Sequence, residues 1–143
     1  FYLSKVLQKK TPIVLSFFAT WCEPCKKEMP VLEKLSKDFK ETDFYLINVS
    51  NLVQGNKKLK EDPKLVQRMI EGLKLTMPVL MDKYALVAKK YDALVLPRLA
   101  IIGSDGKIAY LHTGYEPEDE KDIIAILNKL KLSRSEASID SQN

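Results

Sequence analysis

Cysteine is scarce in this chain: Cys22 and Cys25 are the only two among 143 residues. Two thiols exclude a multi-disulfide scaffold, a four-thiolate iron–sulfur site and an all-cysteine zinc ribbon. Histidine is scarcer still, with His112 alone, so a metal site would need carboxylates, and none are clustered for it. No apolar run approaches the roughly 20 residues a bilayer requires. The longest, Pro12 to Ala19, is interrupted by Ser16. Five glycines and seven prolines are too few for a collagen-like or wholly disordered chain. An excess of one charge sign is missing too. The 23 Lys and Arg against 19 Asp and Glu leave +4, too little to argue for a nucleic-acid partner. No signal-peptide pattern is present. The chain opens on Phe1 and not on Met, which leaves room for a signal or anchor removed from its N-terminus.

What is present is 45% hydrophobic and 29% charged. That suits a single domain with its own core, expected over residues 1–132, followed by a polar, disordered tail over 133–143. Thr11 to Ala19 and Asp43 to Val49 read as buried strands, rich in β-branched and aromatic residues. Between them, Met29, Leu32, Leu35 and Phe39 recur at helical spacing, with Pro30 expected to kink the helix. Asn51 to Lys60 reads as a lysine-rich loop around Gly55. Asp62 and Pro63 then start a second helix that ends near Gly72. Pro78 to Met81 reads as a short strand, and Asp82 as the cap of a helix burying Tyr84, Val87, Ala88 and Tyr91. Arg98 to Ile102 and Lys107 to His112 form a hairpin about Ser104-Asp105-Gly106. Pro117 opens a last helix whose Ile123, Ile124, Ile126, Leu127 and Leu130 face inward. The order predicts an α/β fold, a mixed sheet between helices.

The segment that carries chemistry is Trp21-Cys22-Glu23-Pro24-Cys25, placed between a buried strand and a helix. That context distinguishes a redox pair from chance spacing. Two cysteines so spaced can close a small disulfide across the first helical turn. Cys22 would lie at the helix N-terminus, where unpaired N–H groups and the dipole stabilise its thiolate. Lys26 and Lys27 add positive charge, Glu23 opposes them, and Pro24 stiffens the turn. Cys22 is then the attacking thiol and Cys25, deeper in the helix, the resolving one. No metal and no cofactor beyond this disulfide is expected. A c-type haem attachment would need His where Lys26 stands. A purely structural disulfide would close too short a loop to stabilise the chain much.

With these residues in view, the chain from about Thr11 to Leu130 resembles the thioredoxin fold. The strand before the Trp-Cys motif, Pro30 in the helix and Leu96-Pro97 before the hairpin all fit. The run Phe18-Ala19-Thr20-Trp21-Cys22-Glu23-Pro24-Cys25-Lys26-Lys27-Glu28-Met29-Pro30 is similar to the TlpA/ResA/CcmG group of extracytoplasmic thiol–disulfide oxidoreductases. The stretch from about Asn51 to Tyr91 matches that group's strand-and-helix insertion. The resemblance implies a cis Pro97 facing the disulfide, with the Leu96 backbone offered to an extended substrate and Trp21 exposed beside Cys22 to contact it. It also implies disulfide-containing protein clients, apocytochrome c as the usual one, and a membrane thiol–disulfide electron donor.

One departure stands out. The group's buried Glu, expected just after the second strand, aligns with Ser50 and Asn51, and thioredoxin's buried Asp aligns with Ser16. Water, Glu23 or a loop residue would then have to take the Cys25 proton. Arg98 is expected as a solvated cation near the motif, the alternative being a preference for acidic clients; His112 as an edge residue; and Lys57-Lys58-Leu59-Lys60 as a solvated loop, the alternative being contact with an anionic lipid surface or partner. Two other functions compete with reduction of protein disulfides. One is oxidation or isomerisation of secreted-protein disulfides. The other is a redox-silent module that binds peptides beside Leu96 and Pro97. Thiol peroxidase chemistry fits less well, because Thr20 stands too close to Cys22.

Overall fold

The computed structural model describes residues 11–142, with side chains described for 11–132. Its elements are β1 (Ile13–Phe18), α1 (Glu23–Asp38), β2 (Asp43–Val49), β3 (Leu52–Gln54), β4 (Lys57–Leu59), α2 (Pro63–Gly72), β5 (Val79–Asp82), α3 (Leu86–Lys90), β6 (Arg98–Ile102), β7 (Ile108–Thr113) and α4 (Asp119–Gln142). Five strands form one sheet in the order β5-β2-β1-β6-β7. β1 pairs parallel with β2, and β2 with β5, while β6 and β7 run antiparallel to their neighbours. This is the mixed sheet between helices that the element order predicts.

β1 lies at the centre, and each of its residues is buried, which explains its nearly unbroken apolar run. α1 presents Cys25, Met29, Leu32 and Leu35 to the sheet, and α4 contributes Ile123 and Leu127 to the same core. α1 continues through Pro30. Glu33, also buried on α1, accepts from Thr76 N–H, Thr76 Oγ1 and Met77 N–H. It thereby fixes the entry to β5.

Three features differ from the sequence reading. Asn51 to Lys60 is not an irregular loop, because β3 and β4 pair in a small hairpin. Gln54 pairs with Lys57, leaving Gly55 and Asn56 as a two-residue turn, and Gly55 takes the positive φ of +60° that such turns require. Tyr84 is 62% exposed and not part of the core. α4 carries helical backbone on to Gln142, through the stretch expected as a polar tail. The predicted cap at Asp82 holds in a modified form. Its carboxylate accepts from Val87 N–H and Ala88 N–H, although the residue directly preceding α3 is Ala85.

The parallel strands β1, β2 and β5 all end at one edge of the sheet. There the chain turns into α1, into the β3–β4 hairpin and into α3. Loops at the carboxyl ends of such strands surround a crevice, and the candidate site sits in it.

Candidate active site

β1 delivers the chain through Ala19 and Thr20 into the first turn of α1. Cys22 is the N-cap of that helix, in extended conformation, and Cys22 N–H donates to Ala19 O at 3.2 Å. Pro24 occupies the first turn, where no N–H partner is needed. Cys22 and Cys25 form a disulfide with their Cα atoms 5.4 Å apart. Cys25 N–H donates to Cys22 Sγ at 3.3 Å. A sulfur held as helix cap, with a backbone donor already aimed at it, carries negative charge more readily when reduced. Trp21, Glu23 and Pro24 are exposed around it, while Cys22 and Cys25 themselves are only 3% and 1% exposed. Glu23 pairs with Lys26 at 3.0 Å on the outer surface, so its carboxylate is directed to a surface cation and not to Cys25.

Ser50 and Asn51 follow β2 with no carboxylate between them, but the proton acceptor need not be sought among water, Glu23 or a loop residue. A carboxylate does lie on the Cys25 face, and it is Glu28, three residues further along α1. That spacing brings the two side chains to one side of the helix. Glu28 is only 2% exposed and accepts from Ser16 Oγ at 2.9 Å. Burial pushes its carboxyl up to about 7; the Ser16 hydrogen bond works against this, and the charge of Asp119 adds to it. A carboxyl that titrates near neutrality can both take and return a proton under ordinary conditions. The signal was legible in the sequence. Cys25, Glu28, Met29 and Leu32 follow one apolar helical stripe, and a charged residue inside such a stripe is buried.

A second carboxylate holds the turn from the outside. Glu61, in the link between β4 and α2, accepts from Thr20 N–H, Thr20 Oγ1 and Asn48 Nδ2, and its own N–H donates to Ser50 Oγ. The inserted hairpin is therefore tied directly to the residue before Trp21. Ser50, where sequence alignment placed the missing carboxylate, serves this tie.

The Leu96–Pro97 peptide bond is cis, and both residues are buried. Phe17 pairs with Arg98 in the antiparallel ladder, so one step further sets Pro97 opposite Phe18, at the end of β1 that leads to Cys22. Arg98 is not a free solvated cation. Its Nε donates to Tyr91 O at 3.1 Å and its NH1 to Thr113 Oγ1 at 2.7 Å. His112 lies on the edge strand β7, 3.1 Å from Asp119. Among the described residues, no group of three or more His, Cys, Asp or Glu could hold a metal ion. The arrangement can perform thiol–disulfide exchange at a helix N-terminus, with a buried carboxyl one turn further along the same helix.

Comparison with known proteins agrees with this geometry. The model of the family described as Redoxin matches residues 1–127. The chain is 33% identical to the thioredoxin-like protein YneN of Bacillus subtilis over 106 residues, 74% of this chain and 58% of that protein. It is 34% identical to the thiol-disulfide oxidoreductase ResA of Halalkalibacterium halodurans over 103 residues, 71% of this chain and 53% of that protein. Among solved structures, a secreted Mycobacterium tuberculosis disulfide oxidoreductase homologous to E. coli DsbE superposes with a TM-score of 0.68 at 17% identity. That match covers 84% of this chain and 82% of the other, and at this identity it speaks for the fold alone. The chain spans somewhat over half the length of the curated relatives it matches.

Proposed function

Because the chain belongs to the Redoxin family, we propose that it is a thiol–disulfide oxidoreductase that uses Cys22 and Cys25 to reduce protein disulfides. The Cys22 thiolate attacks one sulfur of a client disulfide. The client S–S bond breaks, a Cys22–client disulfide forms, and the first client sulfur leaves as a thiolate that takes a proton. Glu28 takes the proton of Cys25. The Cys25 thiolate then attacks Cys22 Sγ, expels the second client sulfur, and the Cys22–Cys25 disulfide forms. Two electrons pass from the protein to the client. The observation that carries this reading is the pairing of a helix-capping sulfur with a buried, neutral-titrating carboxyl one helical turn behind its partner.

Trp21, Glu23, Pro24, Leu96 and Pro97 are assigned to client contact. Trp21, Glu23 and Pro24 are the exposed surface around Cys22. The backbone of Leu96, just ahead of β6, is what an extended client segment would pair with. The resemblance to ResA supports an extracytoplasmic location, a client such as apocytochrome c with its Cys pair, and a membrane thiol–disulfide donor that recharges the protein. No described helix is long and apolar enough to cross a membrane.

The equilibrium reduction potential of Cys22–Cys25, read by thiol trapping in defined redox buffers, tests the direction. A value near or below about −250 mV is expected for a reductant, and one near about −120 mV would instead mark an oxidant of client dithiols.

A further inference from the structure

A groove of about 1000 Å³ opens at the carboxyl ends of β2 and β5, between the β3–β4 hairpin and α3. Its walls carry Val53, Met81, Tyr84, Leu86 and Leu94, each between 46% and 62% exposed. Isolated exposed apolar residues are ordinary, but five converging on one groove are a recognition feature. Lysines rim it: Lys58 from the hairpin, Lys60 just after it, Lys83 and Lys89 from the side of α3. All four are exposed, and Lys83 stands 5.5 Å from the centre of the Tyr84 ring. Among the described residues the one acidic lining residue is Glu61, whose two oxygens already accept from Thr20 and Asn48. The groove is thus apolar within and cationic at its edge.

It is also continuous with the redox turn. Glu61 forms part of the wall and bonds the residue before Trp21, while Leu94 lies two residues before the cis Leu96–Pro97 bond. We propose that this groove docks the segment of the client flanking its disulfide, and that it selects segments combining apolar with Asp or Glu side chains. The proposal rests on the reading of the protein as a thiol–disulfide oxidoreductase. Lysines placed around such a groove attract an acidic segment and repel a basic one, and charges of this kind govern specificity and association rate.

Binding and chemistry can be measured apart. Two fluorescent peptides with Ser in place of both cysteines share the same apolar residues. One carries Asp and Glu between them, the other Lys in the same places. Anisotropy titration of the oxidised protein is expected to give at least about tenfold tighter binding of the acidic peptide at low salt, with the gap shrinking as salt screens it. In a Lys58→Glu/Lys83→Glu variant the preference should fall or invert. Equal binding of the two peptides to the unaltered protein would overturn the proposal. So would an unchanged preference in a variant that retains the parent circular dichroism spectrum. Equally tight attachment to vesicles of phosphatidylcholine and phosphatidylglycerol, without discrimination between the peptides, would also overturn it and point to a lipid surface. Reduction of glutathione disulfide by the reduced, unaltered protein reads the redox chemistry separately. If that reaction is absent while the acidic peptide is still selected, the oxidoreductase reading fails and the groove survives as a binding site.

Discussion

Replacing Glu28 by Gln removes a buried charge while keeping an oxygen for Ser16 Oγ, which donates to Glu28 at 2.9 Å. The carboxyl titrates at about 7 in the folded protein against an ordinary 4.5. One pKa unit corresponds to about 1.4 kcal/mol, so a shift of this size is worth on the order of 3 kcal/mol. The sign follows from proton counts. Below pH 4.5 both folded and unfolded chains hold the proton, and the site carries no penalty. Between 4.5 and 7 the unfolded chain loses its proton first, the folded state binds more, and stability falls as pH rises. Above about 7 the folded state must keep an ionised carboxylate in the core. Glu28→Gln should therefore match the parent near pH 4 and exceed it by roughly 2–3 kcal/mol at pH 8. Urea denaturation of both oxidised proteins across that range reads the difference as a shift in midpoint at constant slope. A stability difference that does not change with pH would refute the placement of Glu28 as a buried, neutral-titrating acid.

The same substitution should slow the release of client from Cys22 by about 100-fold near neutrality, the lower end of what a positioned base contributes. Stopped-flow analysis of the resolving step checks this, and an unchanged pH profile of that step would contradict it. Glu61→Ala should cost about 1–3 kcal/mol, since it strands Thr20 N–H and Asn48 Nδ2, and thermal or urea unfolding measures it. Burial pushes the Glu33 carboxyl up, but hydrogen bonds from Thr76 and Met77, with help from Lys37, outweigh burial and hold it below its ordinary value. Its contribution is present above pH 4.5 and lost as pH falls through the lowered value. Glu33→Gln should accordingly flatten the acid side of the stability profile, as a denaturation series from pH 6 downward would reveal.

The centre of the sheet was legible because β1 and β2 are buried on both faces, so they are continuous apolar runs that no helix period explains. The redox pair was legible because Cys22 and Cys25 straddle a strand-to-helix junction. The β3–β4 hairpin was hidden by its composition. Lys57, Lys58 and Lys60 read as a solvated loop, although Gly55-Asn56 between two short runs is a two-residue turn signal. Glu28 was missed for a different reason. The proton carrier was sought after β2, at Ser50 and Asn51, while the residue we propose for the role lies on α1 itself. Its burial was readable from the apolar stripe of α1, but the hydrogen bond from Ser16, twelve residues earlier on β1, is a strand–helix contact that is not written in local pattern. Glu61 was illegible for the same reason, since its partner Thr20 is 41 residues away. Tyr84 was misassigned because helical spacing alone does not say where a short helix begins. α3 starts at Leu86, which leaves Tyr84 outside it on the groove wall.

The central claim is that Cys22 attacks and Cys25 resolves, and trapping the intermediate tests it most directly. A reduced Cys25→Ser variant, mixed with a disulfide-bonded peptide, should accumulate one peptide per protein, attached at Cys22 by mass spectrometry. The Cys22→Ser variant, whose remaining thiol lies within the first turn of α1 and lacks the capping position that stabilises the Cys22 thiolate, should accumulate almost none. Equal trapping by both variants, or attachment at Cys25 alone, would contradict the assignment.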